Sequence, residues 1–121
     1  MELTAVNPTG RQNIEQYGPA GFRVSGVIYT GAIIVFPDRT LPWAGAAATA
    51  DGLAPVVEHG GIELLLLGLG RRATPVAIAL RSSLKAAGIA VEPMDTGAAC
   101  RTYNVLVAED RRIAAALLPP V

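Results

Sequence analysis

The chain has 121 residues, 51% of them hydrophobic but only 5% aromatic, with ten basic residues balancing ten acidic ones. That length suits one domain. The low aromatic content means burial must come from many Ala, Val, Ile and Leu side chains, as in tightly layered α/β packing. The charges are scattered and no basic stripe could grip a phosphate backbone, so nucleic acid is excluded as a primary partner. One cysteine (Cys100) and one histidine (His59) cannot build a disulfide framework or an ordinary protein zinc site. No apolar run approaches the ~20 residues of a membrane span, and the amino terminus lacks both a basic start and an apolar core. The expectation is a soluble, cytoplasmic protein without cofactor or metal. Its positive mean hydropathy of +0.40 is compatible with an apolar partner surface.

Residues 1–13 show no apolar periodicity and contain the turn signal Asn7-Pro8-Thr9-Gly10, which predicts a flexible arm before a single domain over 14–121. The next stretch predicts β structure. Phe22 and Val24 flank polar Arg23, and Ser25-Gly26 suits a two-residue hairpin turn before Val27-Ile28-Tyr29. Ala32 to Phe36 reads as a buried strand stopped by Pro37-Asp38. Leu41-Pro42-Trp43 reads as an edge strand, since Pro42 has no ladder donor. Thr49 is expected to cap a short helix running to about Glu58, with Pro55 forcing a kink or a late start and His59-Gly60-Gly61 ending it.

From Ile62 the order is strand, glycine loop, helix, strand, acid-threonine loop, helix, which is the grammar of a βαβα layer. Ile62 to Leu67 is the first strand, and Gly68-Leu69-Gly70-Arg71-Arg72 the loop. The next helix is predicted from an N-cap at Thr74, Pro75 in its first position and Gly88 after its end, with Val76, Leu80 and Leu84 facing inward. Val91 to Met94 gives the second strand. The last helix starts at Asp95-Thr96 and stops near Ala108, because Glu109 and Asp110 oppose the negative carboxyl end. Ile113 to Leu118 closes the chain as a strand before Pro119-Pro120.

Loops after parallel strands share one sheet edge, where open α/β sheets collect their ligands. Here that edge would hold Gly68, Gly70 and Arg71 from one loop and Asp95, Thr96, Arg101 and Asn104 from the other. Backbone N–H groups at the glycines could cradle an anion, Arg71 or Arg101 could pair with it, and Asp95 could orient it. Competing structural readings are a tight turn at the glycines, helix capping by Asp95-Thr96, and backbone satisfaction by Asn104. Cys100, one turn into the last helix, reads as a small buried residue, since a nucleophile would need His59 as its base. Trp43 is the candidate partner contact.

Together, Tyr17-Gly18 with Gly21-Phe22, the Gly68-x-Gly70 loop, Gly88-Ile89-x-Val91-Glu92, Met94-Asp95-Thr96 with Ala98-Ala99, Thr102-Tyr103-Asn104 and Ala115-Ala116-Leu117-Leu118-Pro119 give a resemblance from Tyr17 onward. The chain resembles a family of small domains of unknown function, number 498, that includes a mitochondrial complex I assembly factor. The resemblance implies a three-layer α/β domain, with a β-hairpin layer beside a mixed, partly parallel sheet covered by helices. It also implies work through protein contacts: complex I subunits, another assembly factor, or a second copy of the chain. The family loop commonly reads Gly-Thr-Gly, whereas this chain has Leu69. Ala- and Arg-rich, Lys-poor usage fits a GC-rich bacterial genome. A non-enzymatic assembly or interaction protein is therefore the expected function; the alternative is an anion-binding protein or an undescribed enzyme using the Gly68–Arg72/Asp95–Asn104 cleft.

Overall fold

A computed structural model of the protein describes residues 10–120. Most of the predicted arm, residues 1–9, lies outside the described residues. Its last part is tied to the body: Gln12 N–H donates to Pro37 O at 2.9 Å, and Arg11 pairs with Asp110.

The first three strands, β1 (Ile14–Gly18), β2 (Gly21–Val24) and β3 (Val27–Thr30), form an antiparallel sheet in that order. Val24 faces Val27, leaving Ser25 (φ 46°) and Gly26 (φ 83°) as the predicted two-residue turn. Two positive φ values define the primed turn that matches strand twist. Gly21 is obligatory, because a Cβ there would stand 2.0 Å from Tyr29 O.

The second sheet contains β4 (Ile33–Val35), β5 (Thr40–Pro42), β6 (Leu64–Leu69), β7 (Ala90–Met94) and β8 (Ile113–Leu118), in the order β5-β4-β8-β6-β7. β6 runs parallel to β7 and β8, while β4 is antiparallel to β8, so the sheet is mixed. β5 takes the edge, as Pro42 requires. β8 lies between two neighbours, and its Ala114, Ala115 and Ala116 are all 0% exposed. Small side chains on a strand covered on both faces let the helices approach closely.

The period-2 pattern divides the core. Leu65, Leu67, Ala114, Ala116 and Ile34 pack with Leu53, which precedes α1 (Ala54–His59), with Val56 from α1, and with Leu80 and Leu84 from α2 (Ile78–Ala86). On the other face Leu66, Ile113, Ala115, Leu117, Ile33 and Val35 pack with Ala99, Cys100, Tyr103 and Val107 from α3 (Thr96–Ala108). Ile14, Phe22 and Val24 join this second cluster, so the hairpin sheet packs over the α3 side without joining the five strands.

Three boundaries differ from expectation. α2 begins at Ile78 behind Ala77, not at Thr74, and no side chain caps it; Val76 precedes it and only Leu80 and Leu84 fix its inner stripe. Thr49 Oγ1 accepts from Gly52 N at 3.0 Å in the turn before α1 instead of capping that helix, while the late start of α1, with Pro55 in its first turn, is one of the two outcomes expected of that proline. Gly68 and Leu69 belong to β6 rather than to a loop. A Cβ on Gly68 would stand 2.7 Å from Leu117 Cδ2 and 3.1 Å from Thr96 Cα, so glycine lets α3 sit on the strand.

Candidate functional site

The loops after β6 and β7 do meet, and they meet by direct bonding. Gly70 N–H donates to Thr96 Oγ1 at 2.8 Å, Thr96 N–H returns to Gly70 O at 2.8 Å, and the Thr96 hydroxyl donates to Leu118 O at 2.6 Å. Thr96 is 0% exposed and Gly70 is buried. The Gly70 N–H group expected to face an anion is thus committed to Thr96. Asp95 is the α3 N-cap, with Oδ1 accepting from Ala98 N at 2.9 Å.

Asn104 lies two turns further along α3 and faces the hairpin sheet. Its Oδ1 accepts from Ile14 N at 2.9 Å and its Nδ2 donates to Ile14 O at 2.8 Å, so the amide side chain pairs with β1 as another strand would. Arg101, exposed on α3, reaches Tyr17 OH at 3.4 Å. Gly97 makes room for that phenol: a Cβ there would be 2.7 Å from Tyr17 OH. Arg71 is exposed on the loop after β6. The structure therefore brings Gly70, Asp95 and Thr96 together, with Gly68 beneath them, and places Asn104 and Arg101 against the hairpin sheet.

Cys100 is fully buried, and burial pushes its thiol up to about 12, so thiolate is scarce near neutral pH. His59 is engaged elsewhere, with Nε2 2.6 Å from Asp38 Oδ1, Nδ1 2.9 Å from Gly60 O, and its ring stacked on Phe36 at 4.3 Å. Trp43 is 4% exposed and its indole donates to Gly52 O at 3.0 Å, which makes it a core side chain. Burial also raises the Tyr103 phenol, which donates to Phe36 O at 3.1 Å. Among the described residues no group of three or more His, Cys, Asp or Glu side chains is placed to hold a metal, and no helix is long and apolar enough to cross a membrane.

Among the described residues the exposed large apolar side chains are Val27, Ile28, Val57, Ile78 and Val105, and Ile28 at 79% and Val27 at 51% share one edge strand. The local sequence sign of this edge is the unbroken run Val27-Ile28-Tyr29 after a turn, beside the positive mean hydropathy of the chain. The bonds from Tyr103 to Phe36 and from His59 to Asp38 had no local signal at all.

The chain is thus a two-sheet α/β domain whose polar groups at the ends of β6, β7 and β8 bond one another. Solved structures with this fold include a protein described as an outer membrane protein of Bartonella henselae, at TM-score 0.83 and 37% identity over 93% of this chain and 98% of that one. A Mth938-like domain of Bordetella pertussis superposes at TM-score 0.77 with 33% identity, covering 98% of this chain and 92% of that one. The chain belongs to the DUF498/DUF598 family of proteins of unknown function, whose model matches residues 14–118. An uncharacterized protein of Rhodobacter capsulatus is 39% identical, over 91% of this chain and 86% of that one. NADH dehydrogenase [ubiquinone] 1 alpha subcomplex assembly factor 3 of Danio rerio is 38% identical over 88% of this chain, and its human counterpart 31% over 88%. This chain spans 64% and 60% of those two assembly factors.

Proposed function

We propose that this chain is a non-enzymatic, cytoplasmic interaction protein that helps assemble the respiratory NADH:ubiquinone oxidoreductase by contacting its subunits or another assembly factor. One observation carries the reading: 88% of the chain aligns at 38% identity with an assembly factor of that complex. The internal commitment of Gly70, Thr96 and Asn104 adds support, because those groups bond backbone rather than await a ligand. So does the buried thiol of Cys100. No particular observation favours the anion-binding or enzymatic alternative.

The test is complex I content and activity in native gels of membranes from the native host lacking this chain, with and without complementation. Loss of assembled complex, restored by the wild-type chain, is the expected result. A normal complex in the deletion strain would refute the assembly role.

A further inference from the structure

Among the described residues two sheets give four edges, and three of them are guarded. β5 carries Pro42. β7 carries Pro93 and an exposed Glu92, and Arg81 Nη1 donates to Val91 O at 3.0 Å. β1 has a register irregularity between Ile14 and Gln16, and Asn104 takes both backbone groups of Ile14. These are the devices by which proteins prevent edge-to-edge pairing. β3 has none of them: Val27-Ile28-Tyr29-Thr30 contains no proline and no charge, and it pairs with β2 in unbroken register.

The ladder fixes which groups are open. The two-residue turn closes on Val24 and Val27 as a hydrogen-bonded pair, and alternation along an antiparallel ladder then points the N–H and C=O groups of Ile28 and Thr30 away from β2. Side-chain parity sets Ile28 and Arg23 on the same face as the row Gly18, Gly21 and Thr30. The two glycines leave a trough on that face, part of a cavity of about 370 Å³ whose lining includes Gly18, Gly21, Arg23, Ile28 and Thr30. Arg23 borders it with Nε 3.3 Å from Glu15 Oε1, and its side chain is 45% exposed.

We infer that β3 is a docking edge for an extended segment of a partner protein, added as a fourth strand, with an apolar side chain on Ile28 and an acidic one over the glycine trough toward Arg23. Main-chain bonds to Ile28 and Thr30 supply affinity, and the alternating side chains supply selectivity. Pairing of β3 with β3 of a second copy would bring no acid to Arg23, which favours an acidic segment of a different protein. This inference rests on the protein-contact reading above and gives it a surface.

The test is an amide NMR titration of the full chain with two capped eight-residue peptides of alternating valine and threonine, identical except for one central glutamate or lysine. Saturable shifts at Ile28 and Thr30 are expected with the glutamate peptide, and about tenfold weaker binding with lysine, the worth of one charge-assisted contact. Arg23→Glu should reverse that preference. Absent or unsaturable shifts at β3, equal affinity for both peptides, or shifts centred on another element would overturn the inference. So would concentration-dependent shifts of the same amides in the protein alone, which would make a second copy the occupant. Ile28→Lys, checked by its amide spectrum to be folded, separates the two readings in the deletion strain. Failure to restore the complex supports the edge. Full restoration overturns it and leaves the assembly role standing; a normal complex in the deletion strain, with peptide binding intact, removes the assembly role alone.

Discussion

Thr96→Val removes one hydroxyl without changing the volume of a fully buried side chain. The hydroxyl accepts from Gly70 N–H at 2.8 Å and donates to Leu118 O at 2.6 Å, so the variant strands a donor and an acceptor at the ends of β6 and β8. Each stranded group costs about 1–3 kcal/mol, which gives about 2–6 kcal/mol for the pair. Against the 5–15 kcal/mol roughly typical of a domain, that is a large loss. Thr96→Ser keeps both bonds and sheds one methyl group, at about 1 kcal/mol. Urea denaturation followed by circular dichroism should therefore rank wild type, serine and valine in falling order, with the valine midpoint clearly lowest. If valine lies within about 1 kcal/mol of wild type, or if serine is as damaging as valine, the hydroxyl is not the clasp of this sheet edge, and a ligand role for Thr96 regains ground.

Other consequences are open to similar measurement. Gly68→Ala should destabilise by about 1–3 kcal/mol, because the new methyl would meet Leu117 Cδ2 at 2.7 Å and the α3 backbone at 3.1 Å; a neutral variant would mean that α3 can lift from β6 without cost. Native Cys100 should resist iodoacetamide at pH 8 and react only after denaturation, since its thiol is buried and raised to about 12; rapid native alkylation would show that α3 opens readily. The hydrogen bond from His59, chiefly, holds Asp38 below its ordinary value, so its contribution is present above the unfolded carboxylate range and is lost as pH falls through the folded value. Asp38→Asn should therefore lower the urea midpoint at pH 7, and the difference should shrink as pH falls below the ordinary carboxylate range. Because Asp38 is 57% exposed the effect should be small and weakened by salt, and a pH-independent difference would contradict the pairing.

The legible parts of this fold were those written in local chemistry. The hairpin turn at Ser25-Gly26, the edge position imposed by Pro42, the Asp95 cap and the extent of β8 each depend on a few adjacent residues, and each matched. The misplaced start of α2 shows the limit of such reasoning. Thr74-Pro75 has the composition of a helix start, yet the chain stays irregular until Ile78, so that Leu80 and Leu84 meet the sheet. Gly68 and Gly70 looked like one loop motif and proved to do two jobs. Gly68 makes space for α3 inside a strand, and Gly70 turns the chain at φ 85° and bonds Thr96.

The candidate site was legible as a neighbourhood and not as a set of bonds. Parallel topology requires the ends of β6 and β7 to be adjacent, but it cannot say whether their polar groups face outward or close on each other. That outcome depends on Thr96 meeting Leu118 across 22 residues and on Asn104 meeting Ile14 across 90. Asn104 links α3 to the hairpin sheet. By occupying Ile14 it closes the β1 edge of the hairpin sheet, which leaves β3 as that sheet's open side. A residue first read as part of a ligand cleft thus helps decide where a partner strand can bind. Replacing it with leucine should both loosen β1 from α3 and expose a second edge, detectable as faster amide exchange at Ile14; unchanged protection there would break the link between the two.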